Sequence, residues 1–156
     1  MPEFKKLHEA YDQCLADGFI RIEQTVNIKQ LKDAMQIAET CIETAELISK
    51  HISSADRKWM NVYLHYYEAL RIYTEILVKL DKKKINNHQC LFAYLCQTFL
   101  HLDLSWEFFE KIRTKRNGVH YYGVMVGFKD WKEVELQYKL YISTLKKEIE
   151  KLISQA

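Results

Sequence analysis

Proline is almost absent from this chain and glycine is scarce: Pro2 is the one proline, and there are four glycines in 156 residues. Helix interiors without proline lose no backbone donor and carry no forced kink, so nothing obstructs long helices. Long apolar runs are missing too. None approaches the ~18 residues of a membrane-spanning helix, and Met-Pro-Glu-Phe-Lys-Lys leads into an amphipathic pattern instead of an apolar leader. Cys14, Cys41, Cys90 and Cys96 form no CxxC pair and stand at no zinc-finger spacing to a histidine. They read as small buried hydrophobes, which predicts a cytoplasmic protein with reduced thiols and no membrane partner. The net charge is only +2, so the field of the whole molecule does not draw it to nucleic acid or anionic membrane; any such attraction is local.

What is present is ordinary for a globular domain: 48% hydrophobic and 28% charged residues exclude a disordered or fibrous class. A chain of this length forms one domain, residues 1–156, burying ~70% of its unfolded surface. Its dominant period is helical. Ile28, Leu31, Met35, Ala38, Ile42, Ala45, Ile48 and Ile52 recur at spacings of three and four, placing them on one helix face. A second stripe, Trp59, Tyr63, Tyr66, Leu70, Tyr73, Leu77 and Leu80, predicts a helix from about Asp56 to Leu80. Lys82-Lys83-Lys84 then reads as a solvated loop.

Asn86 and Asn87, with Gln89, resemble an N-cap and partial capping box opening a third long helix through Leu91, Leu95, Phe99, Leu102, Trp106 and Phe109. That helix is expected to fray near Arg116. Asp130 with Glu133 signals a new N-terminus, followed by the stripe Trp131, Val134, Tyr138, Tyr141, Leu145, Ile149 and Leu152. A shorter piece, Phe4, Leu7, Tyr11 and Leu15, packs across the bundle end. The prediction is an all-α, antiparallel up-and-down bundle of about five helices. Phe19 to Glu23 is the best strand candidate, and five residues do not settle it.

The chemistry-bearing stretch is Arg113-Thr-Lys-Arg116-Asn117-Gly-Val-His120-Tyr121-Tyr122-Gly123. It combines cations, an imidazole, an amide and two phenols, and three of the four glycines (Gly118, Gly123, Gly127) fall in or just after it, so it is expected to break the helix. Phe109, Arg113, Arg116 and His120 are spaced four, three and four, so on any helical continuation the polar trio extends a buried face. Cations on such a face need an anion. Two arginines and a histidine can grip a phosphodiester, the guanidinium supplying a planar donor fork and the imidazole moving a proton near neutral pH. The plainer alternative is that Arg113 and Arg116 pair with Glu107, Glu110 or an acid of a partner, while Asn117 and His120 cap helix ends around Gly118. His65, Glu68 and Arg71 lie three apart, and Glu68 is a candidate to orient Arg113 or Arg116. His88, Cys90 and Cys96 do not share a helix face well, so no metal site is expected, and no cofactor.

Three segments, Arg57-Lys-Trp-Met-Asn-Val-Tyr-Leu-His-Tyr-Tyr-Glu-Ala-Leu-Arg71, Lys84-Ile-Asn-Asn-His88 and Arg113 to Gly123, resemble the HEPN family of higher eukaryote and prokaryote nucleotide-binding domains. The resemblance runs over roughly two-thirds of the chain. It implies a small HEPN-like helical bundle, commonly a homodimer, and often a metal-independent ribonuclease acting as toxin beside a nucleotidyltransferase antitoxin. Other members bind nucleotide or a partner without catalysis.

The family signature is an arginine, four to six residues, then a histidine, often with asparagine after the arginine and tyrosine two beyond the histidine. Arg113 and His120 meet that spacing with six residues between them, whereas the Arg-Asn pair is Arg116-Asn117, three residues short of His120. Either arginine is the motif arginine. The resemblance implies catalytic roles for Arg113, Arg116 and His120, and binding roles for Asn117, Tyr121, Tyr122 and Glu68, in a groove shared by two subunits. Tyr122 is then a substrate contact or the tyrosine that a nucleotidyltransferase modifies, or else one packing phenol among ten tyrosines.

Overall fold

The computed structural model describes residues 4–155. Among them lie six α-helices, α1 (Leu7–Ala16), α2 (Ile28–Ser49), α3 (Trp59–Leu80), α4 (His88–Thr98), α5 (Trp106–Tyr122) and α6 (Phe128–Ser154), together with two three-residue strands, β1 (Ile20–Ile22) and β2 (Lys83–Ile85). The protein is mostly helical with a minor sheet.

The centre of the fold is α3, which packs against α2, α4, α5, α6 and β2. The predicted stripe of α3 is buried up to Leu77, with Leu80 half-buried. Val62, Tyr67, Ala69, Ile72, Thr74, Ile76 and Val78 are buried as well, so the helix is covered on most of its circumference. Thr74 is accommodated there because its hydroxyl donates to the Leu70 carbonyl at 2.8 Å. Aromatic pairs stitch α3 to α6, with Tyr66 and Trp131 4.7 Å apart between centroids, and α4 to α5, with Phe92 and Phe109 4.8 Å apart.

Several expectations need correction. The predicted third helix is two helices: Phe99 leaves helical geometry, Leu100–Leu102 form a 3₁₀ turn, Asp103 takes a left-handed conformation, and Ser105 caps α5 through the Phe108 amide. The apolar spacing hid this break, because Phe99, Trp106 and Phe109 stay buried on both sides of it. Aspartate tolerates the left-handed region better than most residues, so no glycine was needed.

Conversely α5 does not fray at Arg116. It runs through Gly118 and stops at Gly123, whose φ of 64° sends the chain back so that the Val124 amide reaches the Gly118 carbonyl at 2.9 Å. Asn87 is the N-cap of α4, as expected, accepting from the Cys90 amide at 3.0 Å; Gln89 does not complete a capping box and reaches Glu110 instead. Asp130 lies inside the first turn of α6, where it accepts from the Gly127 amide at 2.9 Å.

The lysine run is not a solvated loop. Lys82 has a φ of 57°, and Lys83–Ile85 pairs antiparallel with Ile20–Ile22, Ile20 opposite Ile85. α1 packs on α4 through Ala10 and Cys14, while the predicted face residue Leu15 is 50% exposed. This contact brings together cysteines 76 residues apart, and Cys14 and Cys90 form a disulfide with Cα atoms 5.7 Å apart. The expectation of four reduced thiols therefore fails for two of them; Cys41 and Cys96 are free. Spacing along the chain carries no signal for a pair created by packing. Among the described residues, no helix is long and apolar enough to cross a membrane.

Candidate functional site

The basic segment of α5 is largely neutralised by its neighbours. Lys111 meets Glu133 of α6 at 3.5 Å and Lys115 meets Asp130 at 3.0 Å. Arg113 forks onto Glu110, Nε to Oε1 at 2.9 Å and Nη2 to Oε2 at 3.0 Å. Glu110 is only 2% exposed, and Gln89 of α4 also donates to its Oε2, at 3.1 Å. A buried carboxylate fully met by donors in this way holds Arg113 in one orientation. Arg116 differs from the other three cations. Among the described residues it has no carboxylate partner; its Nη1 donates to Asn117 Oδ1 at 3.3 Å, and its guanidinium carbon lies 5.6 Å from the Tyr67 ring centroid.

Opposite Arg116, across the seam between α3 and α4, the Tyr67 hydroxyl and Nδ1 of His88 lie 3.0 Å apart. Burial, then the charges of Arg71 and Arg116, push the His88 imidazole down to about 4, with Glu68 pulling the other way and Arg113 adding to the fall. His88 is therefore neutral at pH 7. Burial raises the Tyr67 phenol, against the pull of Arg116, Arg113 and Arg71, so it remains protonated. Glu68 does not orient Arg113 or Arg116 as the sequence suggested: its carboxylate is bonded by Arg71, which also meets Glu75 at 2.8 Å. Although burial opposes its ionisation, those Arg71 hydrogen bonds hold the Glu68 carboxyl below its ordinary range.

The motif residues divide between two sides of α5. Arg113 and Arg116 look toward the Tyr67–His88 seam, and helical spacing puts the exposed His120 on that side. Asn117, Tyr121 and Tyr122 instead line an open groove of about 2140 Å³, walled by Phe4–Leu7, Trp106, Lys111, Lys115 and Val124. Tyr121 and Tyr122 are 69% and 79% exposed, so neither is a packing phenol. The structure thus gathers Arg113, Arg116, Glu68, Arg71, Tyr67 and His88 on one side and Asn117, Tyr121 and Tyr122 on the other.

Sequence reasoning gave His88 and Tyr67 no site role and named Arg71 only as a neighbour of Glu68. The four-residue spacing of Tyr67 and Arg71 was a usable signal that they share a face, but nothing local joins them to His88 or Arg116. Among the described residues no group of three or more histidine, cysteine or acidic side chains could hold a metal ion. Compared with known proteins, the chain matches no family model, no curated sequence and no solved structure.

Proposed function

We propose that the protein is an HEPN-type domain that binds RNA and cleaves it without a metal, as a homodimer whose two α5 segments face a common groove. The observation that carries this reading is Arg116: in a segment where Lys111, Lys115 and Arg113 each meet a carboxylate, it is left uncompensated, three residues from Arg113 and four from the exposed His120. An unpaired guanidinium beside a solvent-facing imidazole suits an anionic substrate that carries a movable proton.

In this mechanism His120 takes the proton from a ribose 2′-hydroxyl. The 2′-oxygen attacks the adjacent phosphorus, the bond to the 5′-oxygen breaks, and the proton passes to that leaving oxygen, giving a 2′,3′-cyclic phosphate and a 5′-hydroxyl end. Arg116 binds the phosphate oxygens as negative charge grows on them. Arg113, already forked onto Glu110, positions the turn of α5 that carries Arg116. A nucleotidyltransferase that modifies Tyr122 would act on a readily reached phenol.

The bidentate Arg113–Glu110 pair also favours a second reading, in which the motif is a scaffold that binds nucleotide or a partner protein without cleaving. One assay separates the two. Single-stranded RNA of mixed sequence is incubated with the protein in EDTA, and fragment ends are read by mass. The ribonuclease reading expects cyclic-phosphate ends and a loss of about 10²–10⁴-fold in His120→Ala, the usual worth of one acid–base group. Intact RNA with wild type and with Arg116→Ala leaves only the scaffold reading standing.

A further inference from the structure

The seam between α3, α4 and α5 contains a second set of groups that the α5 motif does not include. Tyr67 and His88 are joined at 3.0 Å through Nδ1, and Arg116 lies over the Tyr67 ring. With the phenol kept protonated by burial, its O–H donates to Nδ1, which fixes the imidazole proton on Nε2. Among the described residues Nε2 has no partner, so it is a spare donor beside a spare guanidinium. The surrounding charges are Glu68 and Arg71 on α3 and Glu110, Arg113 and Arg116 on α5. Arg71 is met by both Glu68 and Glu75, and Arg113 by Glu110, so the three carboxylates balance the three guanidinium charges, and among the described residues Arg116 is the one guanidinium of the cluster without a carboxylate partner of its own.

We propose that Arg116 and Nε2 of His88, held in place by Tyr67, form a phosphate-binding site in this seam that takes the phosphate group of a nucleotide. The site deepens the RNA reading above, supplying a second donor to the phosphate from outside the α5 motif, and it stands or falls independently of cleavage. Its chemistry fits a tetrahedral anion: a planar charged fork on one side and a neutral N–H on the other, with the nearby Glu68 carboxylate bonded by Arg71. Burial is the main cause that keeps His88 unprotonated, followed by Arg71 and Arg116; an anion on Arg116 offsets that last charge, so occupancy and His88 basicity are coupled.

The test is an NMR titration of the His88 ring nitrogens with inorganic phosphate and, separately, with adenosine 5′-monophosphate, against sodium chloride at matched ionic strength. Both probes are expected to move the Nε2 signal saturably and to raise the His88 titration midpoint by about one pH unit, equivalent to roughly tenfold tighter anion binding by the protonated form. Arg116→Gln should weaken binding of either probe about tenfold or more, and His88→Gln, which keeps a side-chain N–H, should weaken it less than His88→Ala.

A response to phosphate and nucleotide alike assigns the site to the phosphate group; a response to the nucleotide alone adds a contact from the nucleoside. A response to free phosphate with the nucleotide excluded overturns the nucleotide assignment. An unmoved His88 signal with both probes, or undiminished binding by Arg116→Gln, overturns the site. RNA cleavage lost in His120→Ala and in Arg116→Gln but unchanged in His88→Ala, with an unmoved His88 signal, would leave the ribonuclease standing and remove this site, whereas saturable phosphate binding without cleavage would do the reverse.

Discussion

His88 is held neutral first by burial and then by the guanidinium groups that oppose its protonation, while a phenol shares its Nδ1. Its titration is pushed down to about 4 in the folded protein, against ~6.5 for an unperturbed histidine. Above pH ~6.5 neither the folded nor the unfolded chain protonates it, and it contributes nothing to pH dependence. Between ~6.5 and 4 the unfolded chain takes up a proton that the folded state refuses, so stability falls as the pH drops. The loss is at most about 2 kcal/mol, since the half-exposed ring is partly screened by solvent. Urea midpoints at pH 7 and pH 4.5 should show a smaller drop for His88→Gln than for wild type; parallel drops would mean that the imidazole is not held neutral. At this scale spacing along α5 was enough to pick out Arg113, Arg116 and His120, and Glu110 as an alternative partner was also visible. That Glu110 takes Arg113 and leaves Arg116 free depends on Gln89 and Tyr67, from two other helices.

The helix α5 contains one glycine and is ended by a second with the opposite demand. Gly123 sits at a φ of 64°, where a side chain is strained, and it ends the helix. Gly118 is inside the helix, and a Cβ added there would meet the Val124 Cβ at 3.5 Å, an ordinary contact. Gly123→Ala should therefore destabilise the protein by about 1 kcal/mol, whereas Gly118→Ala should stabilise it by up to about 1 kcal/mol through helix propensity. Thermal unfolding of both variants checks the pair, and effects of the same sign would mean that Gly123 does not hold a left-handed turn in solution. Reading both glycines as breakers is what made the sequence suggest a fray near Arg116. The break that does occur, at Asp103, was disguised because the residues on either side of it are buried in register with a continuous stripe.

Across the whole molecule, the Cys14–Cys90 bond closes a loop spanning 76 residues and ties α1 to α4. Constraining an unfolded chain over that span contributes roughly 4 kcal/mol in the loop-entropy picture. Dithiothreitol should lower the urea midpoint of wild type and leave Cys90→Ala unchanged, both read at pH 7; a wild type indifferent to reductant would show that the two thiols are unbonded in solution. Burial pushes the Cys96 thiol up to about 12, so it stays protonated and does not compete for exchange.

Local patterns determined the helical class, the inward faces of α2, α3 and α6, the N-cap at Asn87 and the grouping of cations with His120, because each is written in residues within a turn or two of one another. Tertiary packing alone decided that α3 is enclosed by five neighbours, that Cys14 meets Cys90, that Ile20–Ile22 pairs with Lys83–Ile85, and that Tyr67, His88 and Arg116 converge. Those contacts join residues tens of positions apart, and periodicity along the chain holds no information about which buried face meets which.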